Sequence, residues 1–280
     1  MKLVRSPIIS LCTITWVSFS FTSYPAISRA QFYRPGNNFL MQRSQQAKQK
    51  SPDFSKLGRP GRRIGGGSRN PCPLTNPPLT ALIPISNWGE TVAERPTLWF
   101  YVPYSPQQVS SGKFVLQEVQ GDKQEDYVYR DLYEIPFALP RTPGLVSFNI
   151  PATKAPLEIG KKYFWSFKLY CQPPEASTSD ASSNPSISVE GWMDRVQPTP
   201  KLEEQLKAAT EPEYAIYTNH LIWYDALDSL AKLRIAQPTN TKLVDEWTNL
   251  LRLKGIKSDD LDPEKLKQPI VGSVVVQSSQ

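Results

Sequence analysis

A Ser/His/Asp or Cys/His centre needs an imidazole, and this 280-residue chain has a single histidine, His220. That rules out a zinc site built on several histidines, and any nucleophilic arrangement would have to run through this one residue. His220 follows Asn219 where a helical pattern starts or breaks, and no nucleophile-elbow motif points to it, so a cap or surface role is its ordinary reading. Carboxylates are more plentiful: Glu90, Glu94, Glu118, Asp122, Glu125, Asp126, Asp131 and Glu134. Glycoside hydrolysis needs only two, roughly 5 to 10 Å apart across a cleft. Asp122–Asp126, however, reads as a hairpin tip with solvated acids, and the spacing lacks the central glycine of a calcium loop. These residues assign no catalytic, cofactor or metal position, and the expectation is a protein that is not an enzyme and carries no cofactor.

Aromatic residues offer a different chemistry. Trp88, Trp99, Tyr101, Tyr104, Tyr163, Trp165 and Trp192 are many for a small domain, and sugar-binding modules stack such rings on pyranose faces. Strand alternation sends Trp165 inward, together with either Trp99 or its neighbours Leu98 and Phe100. Trp88, in Asn-Trp-Gly, and Trp192, in Gly-Trp-Met, remain as the ligand candidates.

The compartment is read from the start of the chain. Lys2 and Arg5 precede an uncharged run, Ile8–Phe21, and small residues at Ser28 and Ala30 form a peptidase site before Gln31. The run is too short for a comfortable membrane span, which takes about 20 apolar residues. Cleavage between Ala30 and Gln31 is therefore expected, with export to the periplasm or cell surface and no transmembrane anchor in the mature chain. Cys72 and Cys171 survive that cleavage. In an oxidising compartment they suggest a disulfide closing a loop of about 100 residues, worth a few kcal/mol; the alternative is two separate buried thiols.

Charge is distributed unevenly. Residues 31–69 hold nine Lys/Arg against one Asp, whereas residues 70–280 hold 20 against 25. A nucleic-acid partner is not expected for the acidic body, because such surfaces concentrate positive charge. Residues 31–71, rich in Gln, Arg, Gly, Ser and Pro, read as a disordered basic leader. Its glycine cluster, Arg59–Gly67, has no strand before it and no helix after it, as a phosphate loop would require. It is a linker, or else a basic arm for anionic polysaccharide, lipid headgroups or wall polymer.

The body splits by period. Short β-branched and aromatic runs separated by turn residues predict strands at Leu79–Ile85, Pro96–Tyr104, Gly112–Val119, Tyr127–Leu132, Gly144–Ile150, Lys162–Cys171 and Ile187–Arg195. Seven strands at this spacing predict an antiparallel sandwich of immunoglobulin or fibronectin-III type over residues 72–197. From Pro198 the period becomes helical. Thr199-Pro200 starts one helix, a second spans Tyr214–Ile235 with a break near Asn219, and a third runs Lys242–Leu253. The class is thus α+β, mainly β, with a helical hairpin region over 198–255 and a C-terminal tail over 256–280.

Several strings together resemble the cyanobacterial secreted family known as domain of unknown function 928. They are Gly58–Pro73, Leu79–Pro84, Trp-Phe-Tyr-Val-Pro-Tyr at 99–104, Leu157–Tyr163, Gly191–Val196 and Ile-Trp-Tyr-Asp-Ala-Leu at 222–227. The likeness covers residues 58–255 and implies no activity and no site residues. Separately, Trp223–Gly255 is similar to a fragment of a tetratricopeptide array, with an ordinary helical hairpin as the alternative. The expected function is an exported, non-enzymatic binding or scaffold component of the envelope, with an envelope protein or polysaccharide as partner. A carbohydrate-binding module using Trp88 and Trp192, and a carboxylate-dependent hydrolase, are the alternatives.

Overall fold

Strand β7 (Lys162–Cys171) shows how the sheets are made. Tyr163, Trp165, Phe167, Leu169 and Cys171 alternate along it, and all five are buried, as period-two geometry demands of a core-facing row. A computed structural model of the chain describes residues 51–55, 58–65, 72–171, 187–256 and 266–277, all within the unit Lys50–Gln280. The apolar run at the start and the Ala30–Gln31 cleavage point lie outside the described residues.

Two sheets face each other. One contains β1 (Thr80–Ala81), β3 (Thr97–Val102), β6 (Gly144–Asn149) and β9 (Ile270–Ser273), in the order β1-β3-β6-β9. The other adds β2 (Trp88–Thr91), β4 (Val109–Gln120), β5 (Val128–Ala138), β8 (Ile187–Arg195) and β10 (Val275–Val276) to β7, in the order β10-β5-β4-β7-β8-β2. Stacked rings join them: Phe100 lies 4.1 Å from Phe167, and Phe114 4.1 Å from Phe148. Such pairs add specific geometry to large buried area.

The chain is mainly β with four helices, but the all-antiparallel arrangement fails at two places. β2 pairs with β8 in parallel, and so does β6 with β9. Parallel neighbours need a long crossover, and between β6 and β9 the chain runs through β7, β8 and all four helices. β2 is absent from the expected strands because Trp-Gly-Glu-Thr has no apolar alternation; pairing with β8 makes it a strand. β5 runs past its expected end at Leu132, through a bulge opposite Leu116/Gln117 and through Pro136. The segment read as a tail supplies β9 and β10, one strand to each sheet.

The helices are α1 (Pro200–Ala208), α2 (Glu213–Asn219), α3 (Trp223–Ala236) and α4 (Thr241–Leu251). Thr199 caps α1 by accepting the Leu202 N–H. The break expected near Asn219 is real: Leu221 takes φ 63° between α2 and α3, so three expected helices become four. The indole of Trp223 donates to the Leu82 carbonyl at 2.9 Å, and Trp99 meets Trp247 edge-on at 6.2 Å. Trp223 and Trp247 are fully buried, and α3 and α4 share one continuous core with the sheets. Tyr224, the next residue on α3, is buried as well: its hydroxyl donates to the Trp192 carbonyl and accepts from the Trp165 indole, both at 2.9 Å.

The basic leader needs the largest correction. Residues 51–55 and 58–65 are packed rather than disordered. Phe54, 7% exposed, sets its ring edge-on to Trp223 at 5.3 Å. Arg59 donates its backbone N–H to Ser86, Glu190 donates to Arg62, and Ile64 bridges to Thr80. Composition averages over the segment, whereas its order rests on a few placed residues and on backbone bonds to sheet strands. This strap lies against the two sheets and, through Phe54 and Lys254, against the end of the helical region.

Candidate functional site

The parallel pairing of β2 with β8 brings the two ligand-candidate tryptophans together, with Trp88 opposite Trp192 and, two residues on, Glu90 opposite Asp194. The row is not a sugar platform. Trp192 is 0% exposed, enclosed by Tyr127, Tyr129 and Phe164 at 5.2, 6.0 and 5.3 Å. Its indole N–H donates to the Pro60 carbonyl of the strap. Pyranose stacking needs a flat exposed face, but Tyr129 and Phe164 cross at 81° and Trp192 and Phe164 at 61°. Arg59 completes the cluster, with its guanidinium 5.5 Å from the Trp88 ring and 5.2 Å from that of Trp192 and an ion pair to Asp194 at 2.7 Å. Burial pushes the Asp194 carboxyl up against the pull of Arg59, and burial with the Asp194 charge does the same to Glu90. Trp88 is only half-buried. The Gly-Trp-Met setting makes Trp192 a candidate; the strap carbonyl of Pro60 and the rings around it take it out of reach.

The expected carboxylates are scattered. Glu118 is buried, clamped by Arg130 and, at 3.0 Å, by Lys161, and those bonds hold its carboxyl down to about 2. Glu134 pairs with Lys113, Glu94 with Arg95, and Asp131 accepts from Gln117. Asp122, Glu125 and Asp126 are exposed at the β4–β5 turn. His220 caps α2 and lies 2.6 Å from the Gln205 side chain, a contact between α1 and the α2–α3 break. Cys72 and Cys171 are joined by a disulfide with Cα atoms 5.2 Å apart, tying the end of β7 to the segment before β1. Among the described residues no cluster of three or more His, Cys, Asp or Glu side chains is placed to hold a metal ion.

A concave feature lies elsewhere, in a cleft of about 680 Å³ along one side of α3. The start of α2 and the segment 93–97 leading into β3 form its walls. Asp225, Asp228, Ser229, Lys232, Leu233 and Ala236 recur along its floor at helical spacing, with Glu213 and Tyr217 on one wall and Arg95 and Pro96 on the other. Asp225 is 9% exposed and accepts from the Thr91 hydroxyl at 2.7 Å and the Val92 N–H at 3.2 Å. Burial nevertheless pushes its carboxyl up to about 6. Asp228 pairs with Lys232 at 2.8 Å and accepts from the Trp99 indole at 3.4 Å. Tyr217 is pushed up to about 12 by burial, with the Asp225 and Glu213 charges adding to the effect.

Asp225 ties α3 to β2 through its bonds to Thr91 and Val92, but the cleft is a product of tertiary packing that the sequence pattern does not flag. The one signal was local: Asp225, Asp228 and Lys232 share a helix face separate from the Trp223–Leu227–Leu230 stripe. No curated protein matches the chain. The family model that does match, described as Domain of Unknown Function (DUF928), runs over residues 64–266 and so takes in β1 to β8, all four helices and the cleft; the chain belongs to that family.

Proposed function

We propose that the chain is an exported, non-enzymatic binding component of the cell envelope and that the α3 cleft is its ligand seat. The cleft carries this reading, because a concave, mostly apolar cavity of several hundred cubic ångströms with a few convergent polar groups is the usual form of a ligand site. Export is supported by the charged start and apolar run before Gln31 and by the Cys72–Cys171 pairing, since such bonds persist outside reducing compartments. Among the described residues, no helix is long and apolar enough to cross a membrane. The non-enzymatic part rests on the engagement of the cleft acids: one oxygen of Asp225 already serves β2, and Asp228 serves Lys232 and Trp99.

One observation favours a second reading, a hydrolase. Asp225 and Asp228 stand three residues apart on one helix face, and the raised Asp225 carboxyl suits a proton donor. A nuclear magnetic resonance screen of the purified protein against small amines, acids and neutral compounds tests the binding reading. Hits should shift signals from Ser229 and Lys232 and vanish when Ser229→Trp fills the cleft. A screen in which no compound is lost in that variant would refute it, and turnover of a glycoside or ester panel that Asp225→Asn abolishes would establish the hydrolase instead.

A further inference from the structure

Counting charges along the cleft shows what its ligand must bring. Both cations lining it, Arg95 and Lys232, are engaged. Arg95 pairs with Glu94 and donates to the Lys154 carbonyl at 3.2 Å, and Lys232 pairs with Asp228 at 2.8 Å. The acids outnumber them. Asp225 and Glu213 have no ion-pair partner among the described residues; both line the cleft, and the charges of both act on Tyr217. Asp225 meets only neutral groups from β2, the Thr91 hydroxyl and the Val92 N–H, and its near neighbour on α3 is the like-charged Asp228. An anion entering the cleft would meet Asp225, Asp228 and Glu213, with no free cation among the described residues lining it. A neutral ligand would leave the Asp225 charge in a poorly solvated place. A cation relieves it.

Resting on the reading of this cleft as the ligand seat, we propose that its ligand is an organic amine: an ammonium group set between Asp225 and Glu213, with an apolar body lying along Pro96, Leu233 and Ala236. An ammonium donates up to three hydrogen bonds and suits carboxylates reached from different elements, and the apolar lining gives its carbon skeleton a surface to cover. Binding should also be linked to protons. Burial holds the Asp225 proton up to about pH 6, and an ammonium beside that carboxyl displaces it. Affinity should therefore fall as pH drops through 6. The other charged and titratable groups lining the cleft are Tyr224, Asp228 and Lys232 on α3, Glu213 and Tyr217 on α2, and Arg95 ahead of β3.

The test compares benzylamine, benzyl alcohol and benzoate by calorimetric titration of the purified protein at pH 7.5 and pH 5. Benzylamine should bind at least tenfold more tightly than either analogue at pH 7.5 and lose about tenfold at pH 5. Asp225→Asn, which keeps an acceptor for Thr91, should abolish both the preference and the pH dependence. Glu213→Gln, at an exposed position where folding is not at stake, should weaken benzylamine about threefold and leave benzyl alcohol unchanged. A lysine peptide blocked at both ends forms a further arm. Tighter binding of the peptide identifies a protein side chain as the source of the amine, and tighter binding of benzylamine a small molecule. If benzyl alcohol or benzoate binds as well as benzylamine and is lost in Ser229→Trp, the amine inference falls while the cleft remains a ligand seat. If no compound of any charge is lost in Ser229→Trp, the cleft reading itself falls.

Discussion

The outer face of β8 and the cleft along α3 hold similar parts: aromatic rings, acids and an arginine. They are used in opposite ways. On the outer face the chain supplies the cation itself. Arg59 lies over Trp88 and Trp192 and pairs with Asp194, and the strap closes over the Trp192 indole. In the cleft the cations are bound to their own partners, and Asp225 and Glu213 have no ion-pair partner among the described residues. An aromatic cluster is therefore a poor guide to a binding site when the chain already fills it. Unbalanced charge beside open volume is a better one.

If the outer face is interior rather than interface, Trp192→Ala should be the most damaging change in either region. It removes a fully buried ring and leaves the Pro60 carbonyl unpaired; a loss of about 3 to 5 kcal/mol is expected in urea unfolding. A loss under about 1 kcal/mol would mean that the ring is not packed as core.

Asp225 distinguishes the regions by pH. Its folded carboxyl holds a proton up to about 6 against an ordinary 3.8. The stability that this proton contributes is complete below pH 4 and is lost as pH rises through 6. Asp225→Asn should therefore gain on the wild type by up to about 3 kcal/mol between pH 4 and 7. A pH-independent difference between the two would show that Asp225 is not desolvated by the fold.

Arg59→Ala should cost about 2 kcal/mol, because it leaves the mostly buried Asp194 carboxylate without its partner. It should also loosen the strap, seen as faster amide exchange at Glu190, whose N–H donates to Arg62. The smallest effect belongs to the cleft. Ser229→Trp, placed on its open floor, should leave stability within about 0.5 kcal/mol while abolishing ligand binding. A large destabilisation would mean the cleft is part of the packed interior.

Much of the framework was legible because it follows local rules. β7 and β8 have the expected bounds, Lys162–Cys171 and Ile187–Arg195, since alternation is a property of the residues themselves. The Thr199-Pro200 helix start and the break after Asn219 are equally local. What escaped depends on partners distant in sequence. β2 exists because β8 pairs with it, and the strap is ordered because strands and loops further along the chain exchange backbone hydrogen bonds with it. β9 and β10 need β6 and β5. The candidate site escaped for the same reason: Asp225 and Glu213 belong to different helices, and the cleft between them appears only when α3 packs against β2 and the segment 93–97.

Two indole protons report the two regions separately. The Trp99 N–H points to Asp228 at the cleft, and the Trp192 N–H points to Pro60 under the strap. Titrating benzylamine into the protein at pH 7.5 and following both signals by nuclear magnetic resonance asks directly which region receives a ligand. The result expected is a saturable shift of the Trp99 indole with the Trp192 indole unmoved. A saturable shift of Trp192 with Trp99 unmoved would contradict the central claim and place binding on the outer face.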